Sequence, residues 1–239
     1  MKLLDLTLPT PTENLALDQA LLDAAEAGEL EDEVLRLWEP AQPVVVVGRG
    51  SRVEEEVDVA ACRSAGVPIL RRDSGGAAIV TGPGCLMYGV VLRYEARQHL
   101  RMIDEAHRHV LGIVARAISR LVPSAAHCGT SDLAIGDRKF SGNSLRCKRE
   151  HLLYHGTLLY DFDLPLIGGL LRMPPRQPAY RAGRRHTDFV VNLPASREQL
   201  EQALCSVFAA DQRLESWPDE LTQRLVKERY ALDAWHLAR

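Results

Sequence analysis

Lys139 stands in the stretch GDRKFSGNS (136–144), where Gly136-Asp137 separates the apolar run Leu133-Ala134-Ile135 from Arg138-Lys139-Phe140-Ser141. Gly-X between two such runs is the loop chemistry of a two-residue type II′ turn. Strand alternation then puts Lys139 and Ser141 on one face and Phe140 on the other. With Phe140 turned to the core, the lysine faces either solvent or a site. A second candidate is RRDSGG (71–76). Gly75 and Gly76 let backbone amides approach an anion or a thin ligand, because no Cβ stands in the way. Arg71 and Arg72 alternate faces, so one of them can point at that ligand, while a plain hairpin turn with solvated arginines fits the segment alone equally well.

Other reactive side chains divide by position. His155, in LLYHGTLLY, shares a strand face with Leu153 and Thr157, and Gly156 leaves room beside it. A structural hydrogen bond and a ligand contact both suit it. Cys128 lies beside His127, in a loop ahead of the 131–135 strand. There it is either an inert thiol or a nucleophile, and neighbouring chain positions rarely set Cys–His geometry. His107 and His109 diverge on a helix and make no metal pair. Cys62 and Cys205 sit on helix faces as packing residues. VVVVGRGSRV carries Val53 where a dinucleotide loop needs its third glycine, which argues against that fold. RMPPRQPAYRAGRRH brings Arg172, Arg176, Arg181, Arg184 and Arg185 together among prolines, the composition of a solvated loop, a lid or a docking strip for an acidic partner.

The elements that must position these residues are well punctuated. TPTENLALDQALLDAAEAG is a helix with Thr10 as cap, Pro11 at its first position, Glu13 completing a capping box and Gly28 closing it. Strands follow in VLRLW and VVVV, a helix over Glu54–Ala65, then strands in VPILRR, AAIVT and CLMYGVVL. The longest helix spans 100–122, with Ile103, Ala106, Val110, Ile113, Ala117 and Leu121 at helical spacing. Strands near 131–135, 138–146 and 151–160 run antiparallel. A capped helix, with Ser196 and Gln199 at capping-box spacing, precedes a polar, helix-prone tail. Helices bracketing hairpins imply an α/β (α+β) fold, with a mixed, largely antiparallel sheet flanked by helices.

A chain of 239 residues, 46% apolar and 26% charged, suits one globular domain over 1–239. Its net charge of −3 argues against broad adhesion to nucleic acid. Apolar runs such as Leu86–Leu92 fall far short of the ~20 residues of a membrane span. Five cysteines without a C-x-x-C pair fit a reducing compartment, so a cytoplasmic protein with no nucleic-acid or membrane partner is expected.

In their order and separation, RRDSGG, SDLAIGDRKFSGNS and HGTLL resemble the catalytic domain of lipoate–protein ligases. NLALDQALL, VVVGR and FVVNLP fit the same pattern, so the likeness spans nearly the whole chain. These enzymes belong to the biotin/lipoate ligase superfamily, with the octanoyltransferases. The resemblance implies that Lys139 is catalytic, reaching the acyl carbonyl and the adenylate phosphate. It also implies an acyl-adenylate cradle of Arg72, Ser74, Gly75, Gly76 and Ala77, the last in place of a third glycine. Asp132 would stand near the nucleotide and hold Mg²⁺. Ser141, Gly142, His155, Gly156 and Thr157 would line the pocket, with the acyl tail beside Val80 or Leu86.

The activity implied is activation of lipoate or octanoate by ATP as acyl-AMP, then transfer to a lysine of a lipoyl carrier domain. Thr81 replaces a usual histidine, and the GPG after it is similar to the octanoyltransferase branch. An ATP-independent transferase, using Cys128 as nucleophile or Lys139 to polarise the donor carbonyl, is therefore the alternative. No C-terminal accessory domain is expected within 1–239, which adds a third reading, a subunit that needs a separate accessory partner.

Overall fold

The first helix starts where its caps say it should. In the computed structural model, which describes residues 1–238, β1 (Lys2–Asp5) leads into α1 (Pro11–Ala27). The Thr10 hydroxyl accepts from the Glu13 amide at 3.2 Å, and the Glu13 carboxylate accepts from the Thr10 amide at 2.9 Å. β2 (Val34–Trp38) and β3 (Val44–Val47) follow. The helix expected over Glu54–Ala65 is two helices, α2 (Val53–Glu56) and α3 (Val59–Ala65). The break has a cause: Val57 bridges to Leu171, and Asp58 caps a new helix by accepting from the Ala61 amide at 2.9 Å.

Next come β4 (Ile69–Arg71), β5 (Ile79–Thr81), β6 (Cys85–Arg93) and α4 (Ile103–Ser119), with a 3₁₀ turn before α4 at Gln98–Arg101. β7 (Ala125–Cys128) is a strand where the sequence reads as loop. β8 (Asp132–Ile135), β9 (Arg138–Cys147) and β10 (His151–Leu159) match the expected hairpins. The rest is α5 (Pro165–Leu170), α6 (His186–Phe189), α7 (Arg197–Phe208), β11 (Gln212–Arg213), α8 (Asp219–Leu225) and α9 (Asp233–His236).

Eight strands form a sheet in the order β11-β1-β2-β6-β10-β9-β8-β7, and three more the order β4-β3-β5. The pairs β11–β1, β1–β2 and β3–β4 are parallel and the others antiparallel, as the mixed, largely antiparallel expectation requires. α4 and α7 cover one face, with Val110, Leu111 and Leu204 packing into a core that holds Leu86, Tyr88 and Phe140. α1 covers the other face, setting Leu17, Leu21 and Leu22 against Val34, Val91 and Leu153. Each such side chain, fully buried, contributes roughly 1.5–3 kcal/mol. A third cluster joins Leu15 of α1 to Val46, Val80, Met87 and Phe189, beneath the small sheet. No helix among the described residues is long and apolar enough to cross a membrane.

The β8–β9 hairpin carries the candidate lysine. Ile135 pairs with Arg138, leaving Gly136-Asp137 as the loop, and the positive φ falls on Gly136 (60°), the type II′ pattern. One expectation fails. Leu133 pairs with Ser141 but Ala134 pairs with Lys139, so a β-bulge inserts an extra residue into β9. Lys139 and Ser141 therefore sit opposite successive β8 residues, which point to opposite faces, and strict alternation between them is lost. Phe140 is fully buried in the core, as expected.

Candidate active site

A cavity of about 450 Å³ opens between the small sheet, the β8–β10 side of the large sheet and residues 171–190. Lys139, Asp132, Ser141, Gly142, His155, Gly156 and Thr157 line it, together with Arg72, Gly76 and Ala77. Leu15, Val46, Ile79, Val80, Met87, Leu159 and Phe189 add apolar surface to the same walls. Charged and apolar side chains thus share one space.

Lys139 Nζ lies 2.7 Å from Asp132 Oδ1, and the Asp132 side chain is only 9% exposed. Asp132 Oδ2 accepts from the Tyr180 hydroxyl at 2.8 Å. The spacing of K-x-S-G now has a physical reason: a Cβ on Gly142 would lie 2.8 Å from Lys139 Nζ, so glycine makes the room in which the lysine lies. The Gly142 amide donates to Thr157 Oγ1 at 3.3 Å, tying β9 to β10 beside the ammonium.

The two arginines of RRDSGG do face different ways. Arg71 is buried, donating to the carbonyls of Gly48, Ser51, Trp235 and His236. Arg72 turns toward the cavity yet spends its donors on the chain: Val46 O at 3.1 Å, Gly75 O at 2.5 Å, Ala77 O at 3.0 Å and Ser74 Oγ at 3.1 Å. Burial pulls its pKa down to about 10, against the attraction of Glu56. Glu56 also lines the cavity and accepts from the Ala78 amide at 2.6 Å. Arg72 therefore moulds the loop. Gly76 and Ala77 reach the cavity wall, whereas Ser74 and Gly75 lie behind it, so the cradle is narrower than the motif implies.

His155 makes a buried structural contact and also faces the cavity. It lines the cavity, its Nε2 lies 2.6 Å from Ser74 Oγ, and its Nδ1 is 3.7 Å from Asp18 Oδ2. Asp18 is paired with the buried Arg36, which also donates to Asn14 Oδ1 at 2.7 Å. Burial pushes the Asp18 carboxyl up, but Arg36 and His155 outweigh it and hold the pKa below the ordinary carboxylate value. A polar relay from α1 to the glycine loop thus runs behind the cavity.

Cys128 is brought near but not in. It ends β7, directly opposite Asp132, and the cavity lining does not include it. Desolvation, and then the Asp132 charge, push its thiol above the usual cysteine value, the reverse of an activated nucleophile. The arginine-rich stretch is mostly exposed, as its composition suggests, with Arg181 as the exception. Arg181 is buried with its guanidinium 4.8 Å from the Phe189 ring centroid, and Arg172 and Arg176 line the cavity. Sequence reasoning missed Glu56, Asp18 and Tyr180. The signal for Asp18 was present, since Asn14 and Asp18 put polar groups one turn apart on an otherwise apolar helix face.

Residues 10–209 match the family described as lipoyl protein ligase A/B catalytic domain. The chain belongs to that family. Octanoyltransferase LipM from Symbiobacterium thermophilum is 28% identical over 271 aligned positions, covering 99% of this chain and 97% of the relative. Lipoate–protein ligase 1 from Staphylococcus aureus is 22% identical, covering 96% of this chain and 70% of its own length. Among solved structures, the bi-partite lipoate protein ligase of Thermoplasma acidophilum shares the fold, with a TM-score of 0.83 at 21% identity over 99% of this chain and 95% of its own. A lipoate-protein ligase A bound with ATP does so at a TM-score of 0.76 and 22% identity, over 99% and 98% of the two chains. This is a family of acyl-attaching enzymes, and the relatives include both ligases and transferases.

Proposed function

We propose that this chain activates lipoate or octanoate with ATP and joins the acyl group to a lysine of a lipoyl carrier domain. The observation that carries the reading is the Lys139 ammonium, held by Asp132 in a cavity that is also lined by apolar side chains. The apolar walls take the acyl tail, which leaves the carboxylate at Lys139. Its oxygen attacks the α-phosphorus of ATP, forming the acyl–phosphate bond as pyrophosphate leaves. The carrier lysine's amine then attacks the acyl carbonyl, an amide forms, and AMP leaves with the bonding pair. In both steps charge develops on oxygens that a fixed ammonium can meet, an effect of about 3 kcal/mol when one such donor is removed. Gly76 and Ala77 supply a wall that a phosphate can approach closely.

Mg²⁺ fits this site in one way. Among the described residues no three His, Cys, Asp or Glu side chains gather to hold an ion, and both Asp132 oxygens are engaged. An ion carried in by the nucleotide would take Asp132 as its one carboxylate, with phosphates and water as its other ligands.

The second reading is ATP-independent transfer of octanoyl or lipoyl from one carrier protein to another. The near-full-length match to a protein named octanoyltransferase favours it. The raised thiol of Cys128 and its place outside the cavity weigh against a thioester on that residue, and leave a transferase that polarises the donor carbonyl with Lys139. A third reading, a subunit needing an accessory chain, has the bi-partite archaeal neighbour as its support.

The test incubates the protein with a lipoyl domain and reads the carrier's mass, supplying free acid plus ATP in one arm and an acylated carrier protein in the other. The ligase reading expects a mass increase with free acid and ATP, lost in Lys139→Ala and largely kept in Cys128→Ser. A gain with acylated carrier alone would make it a transferase, with Cys128 as its nucleophile if a thioester is trapped there and with Lys139 polarising the donor carbonyl if none is. Silence in both arms leaves the accessory-subunit reading.

A further inference from the structure

Asp132 touches two side chains, and they come from different parts of the fold. Lys139 is its partner within the β8–β9 hairpin, and Tyr180 reaches it from the arginine-rich stretch that closes the cavity. The Tyr180 hydroxyl donates to Oδ2 at 2.8 Å while Lys139 Nζ sits 2.7 Å from Oδ1. A carboxylate has two oxygens related by rotation about one bond, so holding Oδ2 fixes where Oδ1 points. The phenol is itself held. Its ring centroid is 5.1 Å from that of Phe189, and a Cβ on Gly129 would already touch the ring at 3.4 Å. The Tyr180 carbonyl accepts from Arg184 at 2.9 Å, and the same guanidinium donates to Asp137 Oδ2 at 2.8 Å, in the turn of the lysine's own hairpin.

The geometry points to Tyr180 as a positioning residue for Lys139, acting through Asp132 and tying the placement of the ammonium to closure of the 172–185 segment. The inference rests on the reading of Lys139 as the group that meets the acyl carbonyl. Its physical content is separate: with Tyr180 docked, Asp132 is locked and the ammonium has one bearing. With Tyr180 withdrawn, Oδ2 loses its donor in a site that is almost fully buried, and the carboxylate turns to recover one. Substrate entry past an open segment would thus meet a loosely held lysine, and closure would set it.

Tyr180→Phe tests this, because the ring and its packing on Phe189 stay while the hydroxyl goes. Two readouts are needed. In the carrier-acylation assay, kcat should fall about tenfold with KM for the acid little changed, the signature of a misplaced group in place of lost binding. Separately, acetic anhydride labels amines, and the Lys139 peptide can be followed by mass with Lys148 and Lys227 as internal references. Labelling of Lys139 alone should rise by about threefold in Tyr180→Phe, as a side chain no longer held to one bearing samples more of the open cavity. Unchanged Lys139 labelling overturns the inference whatever the activity. Accelerated labelling in a chain that acylates no carrier with any donor keeps Tyr180 as the positioning residue, and removes the catalytic reading instead. A lower melting temperature with all three lysines labelled faster would show general loosening, and would also overturn it.

Discussion

Two stretches wall the same cavity and are held by opposite means. Residues 72–78 are locked from behind: Arg72 spends its guanidinium on four chain acceptors, Ser74 meets His155, and Glu56 takes the Ala78 amide. Those side chains are buried, and each polar atom left without a partner there would cost about 1–3 kcal/mol. Residues 172–185 have two inward contacts, the Tyr180–Asp132 bond and the buried Arg181, and are otherwise held by contacts that reach the surface. Arg185 pairs with Asp188 at 82% and 48% exposure, and Arg184 with an Asp137 that is 74% exposed. Exposed pairs contribute no more than about 1 kcal/mol each. One wall is prebuilt and the other adjustable. A site that must admit a long acyl chain and a nucleotide, and then present a carbonyl to another protein, is served by that division.

The largest effect should come from breaking the prebuilt wall. Arg72→Ala strands the Val46, Gly75 and Ala77 carbonyls and leaves Glu56 without its nearby cation. Stability should fall by about 3–5 kcal/mol, comparable to removing one partner of a buried ion pair. Denaturant unfolding measures it, and the acylation assay should show no residual turnover. A loss below about 1 kcal/mol would mean that the loop holds its shape without Arg72, and the contrast between the walls would collapse.

Acid should separate the same two regions, because each leans on a histidine that burial holds below its ordinary value of 6.5. His236 Nδ1 takes the Arg71 amide at 2.9 Å while Nε2 faces the Tyr230 carbonyl at 2.8 Å, an arrangement open only to the neutral ring. Desolvation outweighs Asp233 and the Tyr230 carbonyl there, with Arg71 adding to the depression. At His186, desolvation, Arg181 and Lys139 act against the Arg172 carbonyl. A depressed histidine makes the unfolded chain the better proton acceptor, so its stabilisation is present above about 6.5 and is lost as pH falls below it. The melting temperature should be flat above neutrality and decline on acidification, with His236→Gln showing a shallower decline. His186 can take up its proton when the adjoining 172–185 segment opens locally, so exchange there should quicken, relative to its intrinsic rate at each pH, in that window before the domain unfolds. A melting temperature that stays flat to pH 5 would remove His236 from the lock.

How much of this was legible follows from how local each cause is. The α1 capping box, the Ser196–Gln199 box and the Gly136-Asp137 turn are written within four residues, and all three stand in the fold. β7 was not, since Ala-Ala-His-Cys carries no β-branched residue and becomes a strand only by pairing with β8. The bulge beside Ala134 shifts the lysine by one position and has no local marker. In the site, motif residues close in sequence came together around Lys139. Tyr180 and Glu56 did not announce themselves: the first lies in a stretch that reads as solvated loop, the second at the end of a four-residue helix. Their roles come from partners 48 and 22 positions away, and single-chain patterns carry no information at that range.

The smallest effect is the sharpest test of the adjustable wall. Arg184 donates to Asp137 Oδ2 and to its carbonyl, both at 2.8 Å, and to the Tyr180 carbonyl at 2.9 Å. It therefore pins the segment to the hairpin turn by groups that water can replace. Arg184→Ala should cost about 1 kcal/mol or less, moving the melting temperature of a chain this long by no more than about 2–4 °C. Exchange across 172–185 should nonetheless quicken severalfold, because local opening needs only local contacts to break. A nonhydrolysable acyl-adenylate should slow it again. The segment's five arginines repel one another, and a bound phosphate charge gives them a partner that offsets the entropy of ordering. If Arg184→Ala instead unfolds the chain as Arg72→Ala should, the segment is as prebuilt as the glycine loop. If exchange is unmoved by the adenylate but slows with the carrier domain alone, the arginines serve as a landing surface, and closure over the nucleotide is not what orders them.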